Sequence, residues 1–170
     1  MFRHSANVLN EVTDYLTWNR IPYHASSVWA IVNFIAATPN SDHIYAYRVN
    51  VSATDFWVEA TAPIRVPQSE KIQVRLLKFC NYVNRFDRSG GYLTLDRETG
   101  VLRCQMTVPF SHDRCGRMDE LLPVPAGMLN RYHDAMERLI QGTSSVEAEV
   151  KEWKNLFQYR SSSSLVSSSR

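Results

Sequence analysis

The chain has 170 residues, a length typical of one domain, and 44% of them are hydrophobic, enough for a sizeable buried core. Its formal net charge is only +2, and its basic residues are spread among acidic ones. This balance argues against binding to nucleic acid or to an anionic membrane. The composition therefore predicts a single folded domain and leaves the class of function open.

The three cysteines, Cys80, Cys104 and Cys115, are an odd count without paired spacing, so no disulfide framework is expected. Cys80 falls on an apolar helix face and Cys104 within a strand pattern, and both are interpreted as core residues. The N-terminal segment has no long apolar run, and the apolar stretch over 28–37 is too short to span a bilayer. We therefore expect neither a signal peptide nor membrane contact, and a cytoplasmic location.

The predicted elements begin with an amphipathic helix over 5–20, which Pro22 ends. Three strands follow. The segment 27–37 is rich in β-branched and aromatic residues, which favours a strand, although a buried helix is an alternative. The segments 44–52 and 55–64 alternate apolar and polar side chains. Such alternation predicts a sheet with one buried face and one more polar face.

A second helix is predicted over 69–86, because its apolar residues recur at helical spacing. They are Ile72, Leu76, Phe79, Cys80, Val83 and Phe86. The glycines that follow break this helix, and two strands joined at 99–100 form a hairpin. A loop is predicted over 111–125, followed by a third helix over about 126–141 that Gly142 ends. His133 is placed on the polar side of that third helix.

Asn81 and Asn84 lie between the apolar positions in the last turns of the second helix. Asparagine is a poor helix former, but its side chain bonds well to nearby backbone. We expect a structural role for both residues, with Asn84 bonding to backbone near 89–91 or in an adjacent strand. Binding of a ligand by the two amides is the alternative.

The order helix, three strands, helix, two strands, helix predicts an α+β domain with helices packed on an antiparallel sheet. Further motifs are Val66-Pro67 before the second helix, Asn81 and Asn84 at its end, Gly100 in the hairpin, and Tyr132 before Gly142. On these motifs the chain resembles the YbjN family, described as bacterial sensory transduction regulators, whose fold is similar to that of the type III secretion chaperones. The resemblance implies a small, often dimeric binding or chaperone-like module without established catalytic residues.

The resemblance covers residues 5–142, and it suggests a division of the chain into three parts. Residues 1–142 would form the YbjN-like domain. Residues 143–159 would add an amphipathic helix that the family lacks. Residues 160–170 are mostly serine, so we expect a disordered tail. The chain also departs from the family in having few acidic residues.

The more polar face of the predicted sheet is a candidate partner-binding surface. Alternation places Arg48, Trp57, Glu59, Tyr92, Arg103 and Gln105 there. Aromatic residues and arginine among polar side chains are typical of protein-binding surfaces. A solvated sheet face with scattered aromatic residues is the alternative, and a β-bulge that exchanged the two faces would be another.

Residues 111–115 form the one local cluster of chemically reactive side chains, because His112 and Cys115 occur close together. A cysteine–histidine pair could serve nucleophilic catalysis, and both types bind zinc, but a closed zinc site needs four ligands. A solvated loop is the simpler interpretation, so no cofactor or metal is expected. The preferred function is a non-catalytic adaptor, chaperone or regulator that binds another polypeptide, and itself as a dimer. The alternative is an enzyme that uses Cys115 with His112.

Overall fold

The computed structural model describes residues 2–37, 42–110 and 117–154, with backbone alone for 2–6. The elements in these residues are α1 (Phe2–Trp18), β1 (Tyr23–Ser26), β2 (Ile31–Ala37), β3 (Ile44–Val51), β4 (Asp55–Arg65), α2 (Glu70–Phe86), β5 (Tyr92–Asp96), β6 (Val101–Pro109), α3 (Met118–Leu121) and α4 (Pro123–Gln141). Residues 146–154 are also helical. The predicted serine-rich tail over 160–170 lies outside the described residues, as do residues 155–159 of the predicted C-terminal helix.

The strands form one six-stranded sheet in the order β1-β2-β3-β4-β6-β5, and every neighbouring pair is antiparallel. Helix α1 contacts β1, β2 and β3, α4 contacts β4 and β6, and α2 contacts β5 and α4. The predicted α+β class, with an antiparallel sheet and helices packed on it, is confirmed.

The core lies between the helices and one face of the sheet. Tyr45 of β3, Phe56 of β4 and Leu102 of β6 are fully buried, and they belong to the same hydrophobic cluster as Phe79 of α2 and Met136 of α4. The predicted alternation in β3 and β4 is confirmed, since their apolar positions are buried and the positions between them are more exposed. Burial of large apolar side chains on one face is the main source of stability for such a sheet.

Three local features differ from the sequence-based expectation. The strand predicted over 27–37 begins only at Ile31, because residues 27–30 form a turn in which Ala30 has a φ of 49°. The short strand β1 precedes that turn. Its four residues show no alternation of burial, so hydrophobic periodicity gives no signal for it. The predicted loop over 111–125 also contains the one-turn helix α3.

The prediction for His133 was wrong. Its side chain is only 6% exposed, and its ring stacks on the ring of His43 with 3.7 Å between centroids. Histidine on an otherwise polar position suggested solvent exposure. The residues before β3, however, bring His43 against this side of α4. This is a tertiary contact that the helical period does not encode.

Gly100 in the β5–β6 hairpin explains why the segment before α2 has a fixed position. The Val66 N–H donates a hydrogen bond to the Gly100 carbonyl at 2.9 Å. Gly100 has a φ of 68°, and a Cβ at this position would collide with the carbonyl oxygen of Val66. A residue without a side chain is therefore required where the hairpin meets the start of α2.

The helix over 146–154 packs on α4 through a partly buried ion pair. Arg138 donates two hydrogen bonds to Glu149, at 2.8 and 2.7 Å, and Glu149 is 2% exposed. Bidentate arginine–carboxylate contacts are strong and directional. Farther along the same helix, the Trp153 ring lies 4.7 Å from the Tyr132 ring in an edge-on arrangement. These contacts fix the first turns of the appended helix against the domain.

The first prediction concerns the core beneath α2. Phe79 is fully buried, so the substitution Phe79→Ala should lower the free energy of unfolding by about 3–5 kcal/mol, through lost burial and the cavity left behind. Val74→Ala is the control, because Val74 is 37% exposed on the same helix and should change stability by less than about 0.5 kcal/mol. Urea unfolding of both variants measures this, and equal stability of Phe79→Ala and wild type would contradict the packing.

Candidate functional site

The face of the sheet opposite the helices carries a row of polar and aromatic side chains in register across five strands. Cross-strand pairing aligns Asn33 of β2, Arg48 of β3, Glu59 of β4, Gln105 of β6 and Tyr92 of β5. We call the face that bears this row the outer face. Directly opposed residues on one face of a sheet lie close enough for their side chains to interact.

Trp57 and Arg103 occupy the rows on either side. Trp57 pairs with Asn50 and Thr107, while Arg103 pairs with Thr61 and Thr94. The four predicted partner-binding residues, Arg48, Trp57, Tyr92 and Arg103, therefore share the outer face.

Arg48 and Trp57 form a cation–π pair on the β3–β4 half of this face. The guanidinium carbon of Arg48 lies 6.0 Å from the Trp57 ring centroid. Arg48 is exposed and Trp57 is half-buried. Among the described residues, no carboxylate oxygen lies within ion-pair distance of Arg48. Its charge is therefore available to a group from outside the domain.

Arg103, in contrast, is held by two carboxylates. Its Nε lies 3.7 Å from Glu59 Oε1, and its Nη2 lies 3.4 Å from Asp96 Oδ2. Gln105 also donates a hydrogen bond to Glu59 Oε2 at 2.6 Å. Bonds from Thr99 lower the pKa of Asp96, and the Glu98 amide and the Arg103 charge add to this effect. The β4–β6–β5 half of the outer face is thus largely neutralised internally.

Asn84 bonds to both backbone polar groups of one residue in the edge strand β5. Its Nδ2 donates to the Leu93 carbonyl at 2.9 Å, and the Leu93 N–H donates to its Oδ1 at 2.7 Å. The amide thus occupies the edge of β5 where a further strand would pair, and such occupancy is one way in which proteins prevent unwanted strand addition. Asn81 is exposed on the same helix, so the two amides do not form one site.

A buried carboxylate at the end of α2 was missed by sequence reasoning. Asp87 Oδ2 accepts hydrogen bonds from Arg131 at 2.6 Å and Tyr132 at 2.7 Å, while Oδ1 accepts from the Ser89 N–H at 2.8 Å. Burial alone would raise the pKa of Asp87, but bonds from Ser89 and Tyr132 and the charge of Arg131 hold it below its usual value. All these partners are internal, so Asp87 joins α2 to α4 instead of offering a binding group.

The stacked pair His43–His133 is a second buried polar feature. His133 Nε2 lies 3.4 Å from Glu137 Oε1, and His133 Nδ1 is buried without a hydrogen-bond partner. Burial, followed by the neighbouring His43, lowers the pKa of His133, although Glu137 and Asp134 act in the opposite direction. The imidazole is therefore neutral near pH 7.

The described residues offer little for catalysis or metal binding. Burial raises the pKa of Cys80 and of Cys104 to about 12, so neither thiol is ionised at neutral pH. Both cysteines are buried, as predicted. No group of three or more histidine, cysteine, aspartate or glutamate side chains with metal-binding geometry occurs in the described part of the chain. His112 and Cys115, the predicted alternative site, lie outside the described residues.

No helix within the described ranges is both long enough and apolar enough to cross a membrane.

Comparison with known proteins gives a structural match alone. No family model and no curated protein matches the sequence. A chain in the crystal structure of the ExsC–ExsE complex is similar in fold, with a TM-score of 0.55 and 11% sequence identity. The match covers 78% of this chain and 95% of that chain. At this identity the likeness establishes the fold alone, and it confirms the predicted type III secretion chaperone-like architecture.

The second prediction separates the two asparagines. Asn84→Ala removes both partners of the Leu93 backbone, so the free energy of unfolding should fall by about 1–3 kcal/mol. Asn81→Ala is the matched control on the same helix, and because Asn81 is exposed its loss should change stability by less than about 0.5 kcal/mol. Thermal or urea unfolding measures both. Equal effects of the two substitutions would contradict the structural role of Asn84.

The third prediction concerns pH. Since the pKa of His133 is lower in the folded protein than its ordinary value of 6.5, the unfolded chain binds a proton first as the pH falls. Stability should therefore decrease as the pH drops below about 6.5. The wild-type protein should lose more unfolding free energy between about pH 7.5 and about pH 5.5 than His133→Gln, which has no imidazole at this position. Equal losses in the two proteins, measured by urea unfolding, would be evidence against a lowered pKa of His133 in the folded protein.

Proposed function

We propose that this protein is a non-catalytic polypeptide-binding module, a chaperone-like adaptor or regulator, that binds its partner on the outer face. The observation that carries this proposal is the pair of exposed Arg48 and half-buried Trp57 on the sheet face that the helices leave open. Tyr92, which is 53% exposed, adds a second aromatic side chain to the same face. Tryptophan, tyrosine and arginine contribute most strongly to binding energy where they cluster.

The structural match supports the same class of function. The similar chain was crystallised in the ExsC–ExsE complex, so a protein of this fold is known in a complex with another protein. We infer that the present chain likewise has a polypeptide partner. The enzyme alternative concerns His112 and Cys115, which lie outside the described residues.

Membership of the YbjN family is part of the proposal. It is supported by the contacts that the motif residues make: Val66 with Gly100, Asn84 with Leu93, and Tyr132 with Asp87. Each contact joins two elements of the domain, as expected of residues that maintain a shared fold. On this view residues 1–142 form the binding domain, and residues 143–159 form an appended helix. We further propose assembly with a second copy of the chain and a location in the cytoplasm.

The fourth prediction tests the outer face directly. The double variant Trp57→Ala, Arg103→Ala should remain folded by circular dichroism, because neither residue contributes to the buried core. In a pull-down from the native source, it should lose the stoichiometric polypeptide that the wild-type protein retains. A matched control, Trp18→Ala with Arg85→Ala, removes the same two kinds of side chain from exposed positions in α1 and α2 and should keep that polypeptide.

Retention of the same polypeptide by the outer-face variant, at the wild-type ratio, would contradict the proposed surface. Unfolding of that variant would show that Trp57 supports the core and would equally refute the assignment. Quantitative mass spectrometry of the eluted proteins distinguishes these results.

A further inference from the structure

We propose that the partner segment carries carboxylates beside an apolar side chain, and that it docks on the β2–β3–β4 half of the outer face around Arg48. This inference rests on the proposed function and specifies the chemistry of the partner. It follows from a difference between two arginines of the outer face. Arg103 lies within ion-pair distance of two carboxylates, whereas Arg48 has no carboxylate partner among the described residues.

The β4–β6–β5 half has few charges left to offer a ligand. Arg103 lies between Glu59 and Asp96, and Glu59 also accepts a hydrogen bond from Gln105. Asp96 in addition accepts hydrogen bonds from the backbone N–H groups of Glu98 and Thr99. A partner that competed for Arg103 would have to displace two carboxylates, so this arginine is poorly placed to recognise one from outside.

Arg48 differs from Arg103 in its exposure and in its lack of a carboxylate partner among the described residues. It is exposed, and its guanidinium lies over the ring of Trp57 in a cation–π contact. Its cross-strand neighbours are Asn33, which is uncharged, and Glu59, which other groups already engage. A guanidinium has five N–H donors in a planar fork that fits a carboxylate in a bidentate manner. The indole beside it would shield such a contact from water on one side.

An apolar surface lies next to Arg48 on the same face. Ile35 of β2 is 63% exposed and pairs across the strands with Ala46. Ala46 is two residues before Arg48, so both project from the outer face of β3. A recess of about 610 Å³ adjoins these residues, and Pro22, His24 and Asn33 also line it. An apolar side chain of the partner could enter this recess while a neighbouring carboxylate reaches Arg48.

Charge complementarity also favours a polypeptide over nucleic acid. Nucleic-acid binding depends on many arginine and lysine contacts to phosphates. The outer face offers only two arginines without a carboxylate partner among the described residues, Arg48 in β3 and Arg65 at the end of β4. A single cation beside an indole and an exposed isoleucine fits a short acidic–apolar segment better than a chain of phosphates.

The test uses a phage-displayed library of random peptides, panned against the full chain at low ionic strength. Enriched peptides should contain aspartate or glutamate next to an apolar residue. Synthetic copies should bind Arg48→Gln about tenfold or more weakly than wild type, as expected for loss of hydrogen bonds to a charged group. Arg85→Gln is the matched control, because Arg85 is exposed on α2 on the opposite side of the sheet, and it should change the Kd by less than about threefold.

The other outcomes separate this inference from the proposed function. Peptides that lose affinity for Trp57→Ala but lack acidic residues, or that bind Arg48→Gln normally, would overturn the acidic-partner inference and leave outer-face binding intact. Peptides that bind Trp57→Ala and Arg48→Gln as tightly as wild type would overturn both. Failure to enrich any peptide would likewise contradict both, because an exposed docking surface for a short segment should select one.

Discussion

Helices α1, α2 and α4 all pack on one face of the antiparallel sheet, and this one-sided burial determines what the opposite face can carry. Every second residue of β3 and β4 is committed to the core, as the buried side chains of Tyr45 and Phe56 illustrate. The positions between them point away from the core and need not be apolar. A tryptophan and an arginine can therefore lie side by side on the outer face without disturbing the fold.

Polar contacts then fix the helices that cover the sheet. Asn84 ties α2 to the backbone of β5, Asp87 joins the end of α2 to α4, and Arg138 holds the appended helix through Glu149. Each contact is satisfied within the domain. The outer face is consequently supported by a well-anchored scaffold, and a preorganised surface loses less entropy when it binds. Polar residues that are bonded within the domain have a structural role, and those that are not remain available to a partner.

Sequence periodicity was sufficient for much of this architecture. The alternation in β3 and β4 identified their buried faces, and the helical spacing around Phe79 identified the packed side of α2. Sequence periodicity failed where a segment has no repeating pattern of apolar residues. The strand β1 is short and exposed, and α3 is a single turn. His133 is buried by His43, a residue that is distant in sequence.

The candidate site was only partly accessible from sequence for a related reason. Alternation placed Arg48 and Arg103 on one face, but their different environments depend on the cross-strand register, which brings Glu59 and Asp96 to Arg103. The most direct measurement is the indole N–H spectrum of the protein, titrated with the polypeptide that it retains from its native source. We expect the Trp57 signal to shift on binding while those of Trp18 and Trp153 stay unchanged, with each signal assigned by single substitution. A shift of Trp18 or Trp153 with an unchanged Trp57 signal would contradict this expectation.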